Sequence, residues 1–181
     1  MRHIIHASLT RIADLDEGEV RPLPRTEWEW ADYVLGEVIA PPADRRFIEL
    51  DNGRKALVDV GDRVVGALGT RFATLEATGS WEDIGEDGTM SAMTGAGLFG
   101  GITSQSPLLN EFIKMRYVGH VTRDGAKLNM RDFAAPLGTR KLDIPVVLIV
   151  GSSMSAGKTN SARVIIRRLK HMGLTVGWPP S

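Results

Sequence analysis

The chain has 181 residues, the span of one domain or of one domain and part of another. Its 22 Lys and Arg balance its 22 Asp and Glu, which argues against a strongly basic nucleic-acid grip and against an acidic tail. It has no cysteine, so disulfides, thiolate metal sites, iron–sulfur clusters and cysteine nucleophiles are excluded together. That fits a reducing compartment, and the cytoplasm is the expected location. No apolar run approaches the ~18–20 residues needed to cross a bilayer. The start, Met1 to His6, lacks the apolar stretch of a secretory signal.

Residues 1–45 read as a mixed lead-in. Pro22, Pro24, Pro41 and Pro42 leave room for one short element over Thr26 to Leu35, with Thr26 and Glu29 spaced as a capping box. Residues 46–135 read as β-rich. Asn52-Gly53, Asp87-Gly88 and Asp124-Gly125 are the Asx-Gly pairs that tight hairpins need, because both tolerate positive φ. Glycines within the strands suggest bulges or bends, as in small barrels. Ser106-Pro107 before Leu108 to Ile113 predicts a short helix with a cap and a first-turn proline.

The composition changes near Pro136. Val146-Val147-Leu148-Ile149-Val150 predicts a strand buried on both faces, typical of a parallel sheet. A helix follows, with Ala162, Ile165, Ile166 and Leu169 on one face and Gly173 placed to end it. Leu174-Thr175-Val176 predicts a second strand. The expected organisation is a β-rich domain over 1–142, barrel-like and small. A strand–loop–helix–strand unit occupies 143–181.

The loop between that strand and helix carries the chemistry. Its Gly157-Lys158-Thr159 is the core of a P-loop, in which successive backbone N–H groups and the helix N-terminus face phosphate oxygens. The cradle would run through Ser152, Ser153, Met154, Ser155, Ala156, Gly157, Lys158, Thr159 and Asn160. Lys158 would reach the β/γ-phosphates, and the Thr159 hydroxyl would ligate magnesium. The spacing departs from the strict pattern. Five residues separate Gly151 from Gly157, and Ser152 stands where the first glycine belongs.

These residues resemble the P-loop of the dethiobiotin synthetase group, which also includes MinD-like ATPases and cobyrinate amidating enzymes. The resemblance covers about residues 145–178. It implies an ATP-dependent enzyme that uses Mg2+ to phosphorylate a small carboxylate or similar acceptor. On that resemblance Lys158 is the catalytic phosphate lysine, Thr159 the metal ligand, and ATP with Mg2+ the cofactor pair. Gly177-Trp178-Pro179-Pro180 stands where those enzymes carry a lysine-containing segment. The chain is therefore expected to be a C-terminally truncated piece of a longer NTPase and inactive by itself. The alternative is a non-catalytic β-rich binding or assembly module with a nucleotide-sensing loop. The expected partners are a nucleotide, an unidentified small acceptor and a second copy of the chain. Nucleic acid and membrane are not expected.

Other patterns carry less. Gly95-Ala96-Gly97-Leu98-Phe99-Gly100 matches the dinucleotide fingerprint, but no helix is predicted to open at its end. His3 and His6 have i, i+3 spacing without a third ligand nearby. Asp59, Asp62, Glu76, Glu82 and Asp83 read as turn residues in contact with water. Trp28, Trp30 and Trp81 read as packing residues, and the cations after residue 158 as the solvated face of the helix.

Overall fold

The computed structural model describes residues 4–13, 15, 18–44, 46–73, 75–136, 138, 143–152 and 156–177. The strands are, in order, β1 (Ile4–His6), β2 (Glu19–Arg21), β3 (Tyr33–Ala40), β4 (Phe47–Glu49), β5 (Lys55–Leu57) and β6 (Arg63–Leu68). They continue with β7 (Thr70–Ala73), β8 (Ala77–Ser80), β9 (Thr89–Ala92), β10 (Leu98–Gln105), β11 (Ile113–Arg123) and β12 (Ala126–Lys127). One α-helix, α1 (Lys158–His171), follows. β4 and β5 form a separate hairpin, and the remaining strands form a 10-stranded sheet.

That sheet closes on itself. β6 pairs with β3, β3 with β11, β11 with β9 and β9 with β10, all antiparallel. β10 then returns to β6 in parallel, Leu98 opposite Ala67 and Phe99 opposite Leu68. Period-2 alternation sorts the side chains of β3 and β6 between two cores. Val34, Val38, Val64 and Leu68 join Met90, Phe99 and Met115 inside the ring. Tyr33, Leu35, Val65 and Ala67 face outward into a second cluster with Leu15 and Val121. Leu9, Ala13, Val20, Leu128, Met130 and Phe133 cover that outer cluster.

Two glycines permit the closure. A Cβ on Gly66 would lie 2.2 Å from the Gly97 carbonyl oxygen and 2.6 Å from Phe99 Cζ. Gly97 itself has φ 91° at the β9–β10 turn, and a Cβ there would meet the Ala7 Cβ at 2.3 Å. The Gly97 carbonyl accepts from Ala67 N–H at 2.9 Å, and Phe99 carbonyl from Gly69 N–H at 3.0 Å. The glycine-rich segment 95–100 thus serves close strand packing, and β10 follows it where a dinucleotide site needs a helix.

Asn52-Gly53 joins β4 to β5, and Asp124-Gly125 joins β11 to β12 with both residues at positive φ. Asp87-Gly88 instead links a 3₁₀ turn, Trp81–Asp83, to β9. Residues 106–112 form turns and extended chain, not the expected helix, and β11 begins at Ile113. The capping box lies at Asn129 and Asp132, not at Thr26 and Glu29.

The expected fold class, ending in a strand–P-loop–helix–strand unit, is overturned. The helix is present, but neither 146–150 nor 174–176 is a strand. Val146, Val147, Leu148 and Val150 are 62–81 % exposed. The physical reason is that a strand exists only through its ladder. A branched aliphatic run has high β-propensity, yet among the described residues no segment pairs with it. α1 therefore stands without a parallel sheet against its apolar face, of which Ala162 alone is buried. Among the described residues no helix is long and apolar enough to cross a membrane.

Gly66→Ala forces backbone or the Phe99 ring to move and is expected to cost about 3 kcal/mol, the upper part of the overpacking range. Gly138→Ala, where nothing lies within 4 Å of an added Cβ, should stay within about 0.5 kcal/mol of the unaltered protein. Urea midpoints of the two variants check this, and equal midpoints would contradict the closure argument.

Candidate functional site

The turn before α1 is built around a glycine. Gly157 takes the left-handed conformation, φ 83° and ψ 6°, at the N-cap of α1. A side chain is strained there, whereas glycine adopts it freely. Ser161 N–H to the Gly157 carbonyl, 3.0 Å, is the first bond of the helical ladder. The N–H groups of Lys158, Thr159 and Asn160 precede it and point out of the helix end. No side chain caps that end among the described residues, and no acid stands in its first turn. Open space lies where a Gly157 Cβ would be.

The rest of the turn folds back toward the helix. A Cβ on Gly151 would lie 3.0 Å from Lys158 Cγ and 3.2 Å from both Lys158 Cδ and Ala156 Cβ. The stem of Lys158 thus lies over Gly151, which draws the two ends of the loop together. Ala156, Gly157, Lys158, Thr159 and Asn160 line a recess of about 230 Å³. Ser152, Ala156, Thr159 and Asn160 are exposed, and Lys158 is half-buried. Ser153, Met154 and Ser155, expected in the cradle, lie outside the described residues.

What this arrangement can do is set by its charges. The N–H groups at a helix N-terminus carry roughly half a positive charge. A lysine beside them favours an anion with several oxygens, and among the described residues no acid stands in the helix's first turn. For magnesium, the hydroxyl of Thr159 offers an oxygen, exposed in the first turn and next to Lys158. These residues fit a phosphate with its metal.

A second polar constellation escaped the sequence reading. Asp32 and His120 are both 0 % exposed, at the junction of β3, β11 and the segment that leads into β3. Leu23 N–H donates to the Tyr117 hydroxyl oxygen at 3.0 Å, and that hydroxyl meets His120 Nδ1 at 2.6 Å. His120 Nε2 lies 3.2 Å from Asp32 Oδ2. The His120 ring thus bridges the Tyr117 hydroxyl and the Asp32 carboxylate, which accepts from Nε2. Asp32 also accepts from Asn129 Nδ2 at 2.8 Å, Glu29 N–H at 2.7 Å and Lys127 Nζ at 3.0 Å. The Trp28 ring packs 4.3 Å from that of Tyr117 and closes the group from above.

Order in this cluster resembles a catalytic relay, but its acceptors are filled and its centre is sealed. Its effect is to hold. Burial alone would raise the Asp32 pKa, and the hydrogen bonds from His120, Asn129, Lys127 and Glu29 outweigh it, so the carboxyl sits below its usual value. Burial pushes the Tyr117 phenol up, which keeps it protonated and donating. A β-bulge explains why spacing did not reveal the cluster. Tyr117 and His120 are i, i+3 on β11 and would point to opposite faces of a regular strand. The register against β3 slips between Tyr117 and Gly119, which brings them together.

The other residues singled out have structural places. His6 lies in β1, while His3, the other member of the i, i+3 pair, lies outside the described residues, and His171 stands at the basic end of α1. Asp59 pairs with Arg46 at 2.7 Å, and Asp62 accepts from Asp59 N–H at 2.8 Å. Trp28 is buried, while Trp30 is exposed beneath the Arg131 guanidinium.

Asp32→Ala removes the acceptor shared by four donors, the His120 and Asn129 contacts among them buried, and should cost about 3–5 kcal/mol. The folded-state pKa of Asp32 lies below its unfolded value near 3.8, so its stabilisation is complete above that value and is lost as pH falls through the folded one. Asp32→Asn should therefore flatten the fall in stability below about pH 4. Denaturant titrations across pH test this, and an unchanged acid limb would refute it. No protein-family model matches the chain, and no curated protein or solved structure matches it either.

Proposed function

We propose that this protein binds the polyphosphate of a magnesium nucleotide, ATP, at the turn 151–160, for use in phosphoryl transfer to a small carboxylate or similar acceptor. The observation that carries the reading is the pairing of Gly157 in the left-handed conformation at the start of α1, where no side chain caps the helix among the described residues, with the Lys158 stem lying across Gly151. Together they support a main-chain anion cradle with one lysine over it. ATP, magnesium and the acceptor class rest on the resemblance of Gly157-Lys158-Thr159 and its loop to the dethiobiotin synthetase group.

In this reading the backbone N–H groups at the start of α1 hold phosphate oxygens. Lys158 neutralises charge on the terminal phosphates, and the Thr159 hydroxyl is the metal ligand. A bound Mg2+ supplies charge neutralisation across the β- and γ-phosphates. The chain's own part is positioning and electrostatics, which in phosphoryl transfer supply nearly all the catalysis.

A second reading has one observation in its favour. α1 has no flanking strands among the described residues, so no sheet edge sets further groups around the phosphates. That favours a β-rich binding or assembly module in which the turn senses nucleotide without turning it over. Turnover with a small carboxylate separates the two: phosphate release that needs the acid favours the enzyme, and nucleotide binding without release favours the sensor.

Calorimetric titration with Mg-ATP tests the shared claim. Lys158→Ala should weaken binding at least tenfold, about 1.4 kcal/mol. Thr159→Ala should reduce the gain in affinity that magnesium confers while leaving metal-free binding in place. Equal affinity in Lys158→Ala and the unaltered protein would refute the site.

A further inference from the structure

We infer that the cleft between β7, the β9–β10 turn and the segment before β11 is a binding site for a small monocarboxylic acid with a flat apolar body. The inference does not rest on the nucleotide reading. The cleft encloses about 220 Å³, below the ~300–1,000 Å³ of drug-sized sites. Phe47, Met93 and Phe112 supply its apolar wall, and Arg71, Thr94 and Asn110 its polar groups.

Arg71 is the unusual member. It is a guanidinium only 9 % exposed, carried by the edge strand β7. Nη1 donates to the Met93 carbonyl, and Nη2 pairs with the Glu76 carboxylate. Nε, shielded from solvent, has no hydrogen-bond partner. Nε–H and Nη2–H form the side-on fork of an arginine, the pair that a carboxylate meets with both oxygens. Here one arm of the fork holds Glu76 and the other holds nothing. The Phe112 ring lies 5.6 Å from the guanidinium carbon, so an aryl or branched group bound at the fork would rest against an aromatic wall.

Glu76 is the replaceable part. It is 37 % exposed, reaches Arg71 from the turn between β7 and β8, and engages only one arm of the fork. A ligand carboxylate that fills both arms would displace it into solvent, where a carboxylate is well hydrated. Glu76 thus acts as a placeholder that holds the buried cation while the cleft is empty. The charge around the cleft also sets the class of acid. Glu111 also lines the cavity and Arg71 is its one lining cation among the described residues, so once Glu76 has moved out a monocarboxylate matches that cation, whereas the second charge of a phosphate dianion or a dicarboxylate would face Glu111.

Benzoate is the probe, added to the full chain and followed by NMR. Benzoate should shift the Arg71 Nε–H resonance downfield as that donor gains an acceptor. Removing the competing charge in Glu76→Gln should tighten benzoate binding at least tenfold, and Arg71→Lys, which lacks the fork, should abolish it. Inorganic phosphate at the same concentration should leave the Nε–H resonance where it is. An Nε–H that does not move at saturating benzoate overturns the site, as does equal affinity in Glu76→Gln and the unaltered protein. An equal response to phosphate overturns the ligand class. If Arg71→Lys does not fold, the Nε–H resonance in the Glu76→Gln protein decides the question.

Discussion

The body of this protein depends on a close approach of two backbones. β10 can run beside β6 only because Gly66 and Gly97 present no side chain where the strands meet. With that contact made, the ring β6–β3–β11–β9–β10 has no open edge between its members. Phe99 then sits over Gly66 and fills the interior with Met90 and Met115. Closure removes the unpaired edge groups that would otherwise seek another chain, and it encloses apolar side chains that an open sheet of this size would leave half wet.

The buried carboxylate of Asp32 ties the covering segments to that ring. One side chain accepts from β11, from the segment after β12 and from the turn that precedes β3. The arrangement is stable only as a whole, because a buried donor without its acceptor is costly while a filled set is nearly neutral. His120 is held between the Tyr117 hydroxyl and the Asp32 carboxylate, and that tyrosine is itself fixed by the Leu23 main-chain N–H. The result is a rigid corner, closed to solvent, from which the outer cluster around Tyr33 and Leu35 is built.

The two candidate ligand regions differ in how they are supported. The turn before α1 presents main-chain donors and a lysine without a sheet behind them. The Arg71 cleft is set into the β body, with its cation nine-tenths buried and its walls fixed by the sheet. Both are proposed to take oxyanions, but through different chemistry. Outward-facing main-chain N–H groups beside a lysine suit a polyphosphate, and a planar fork against a ring suits a single carboxylate.

Local features were legible from residue order. Asn52-Gly53 and Asp124-Gly125 act within a few residues, and so do the i, i+3, i+4 pattern of α1, Gly157 at its start and Gly173 after its end. Their conformations follow from φ preference and helix periodicity, which need no distant partner. The run Val146 to Val150 marks the limit of that logic: its propensity for a strand is real, but a strand requires another segment to bond with, and residue order does not say whether one arrives. Tertiary structure alone decided the return of β10 to β6, the bulge that turns Tyr117 toward His120, and the meeting of Arg71 with a half-filled fork beside Phe112. Each depends on a distant segment of the chain, and the energy that selects it, burial and the filling of buried donors, exists only once that segment is in place.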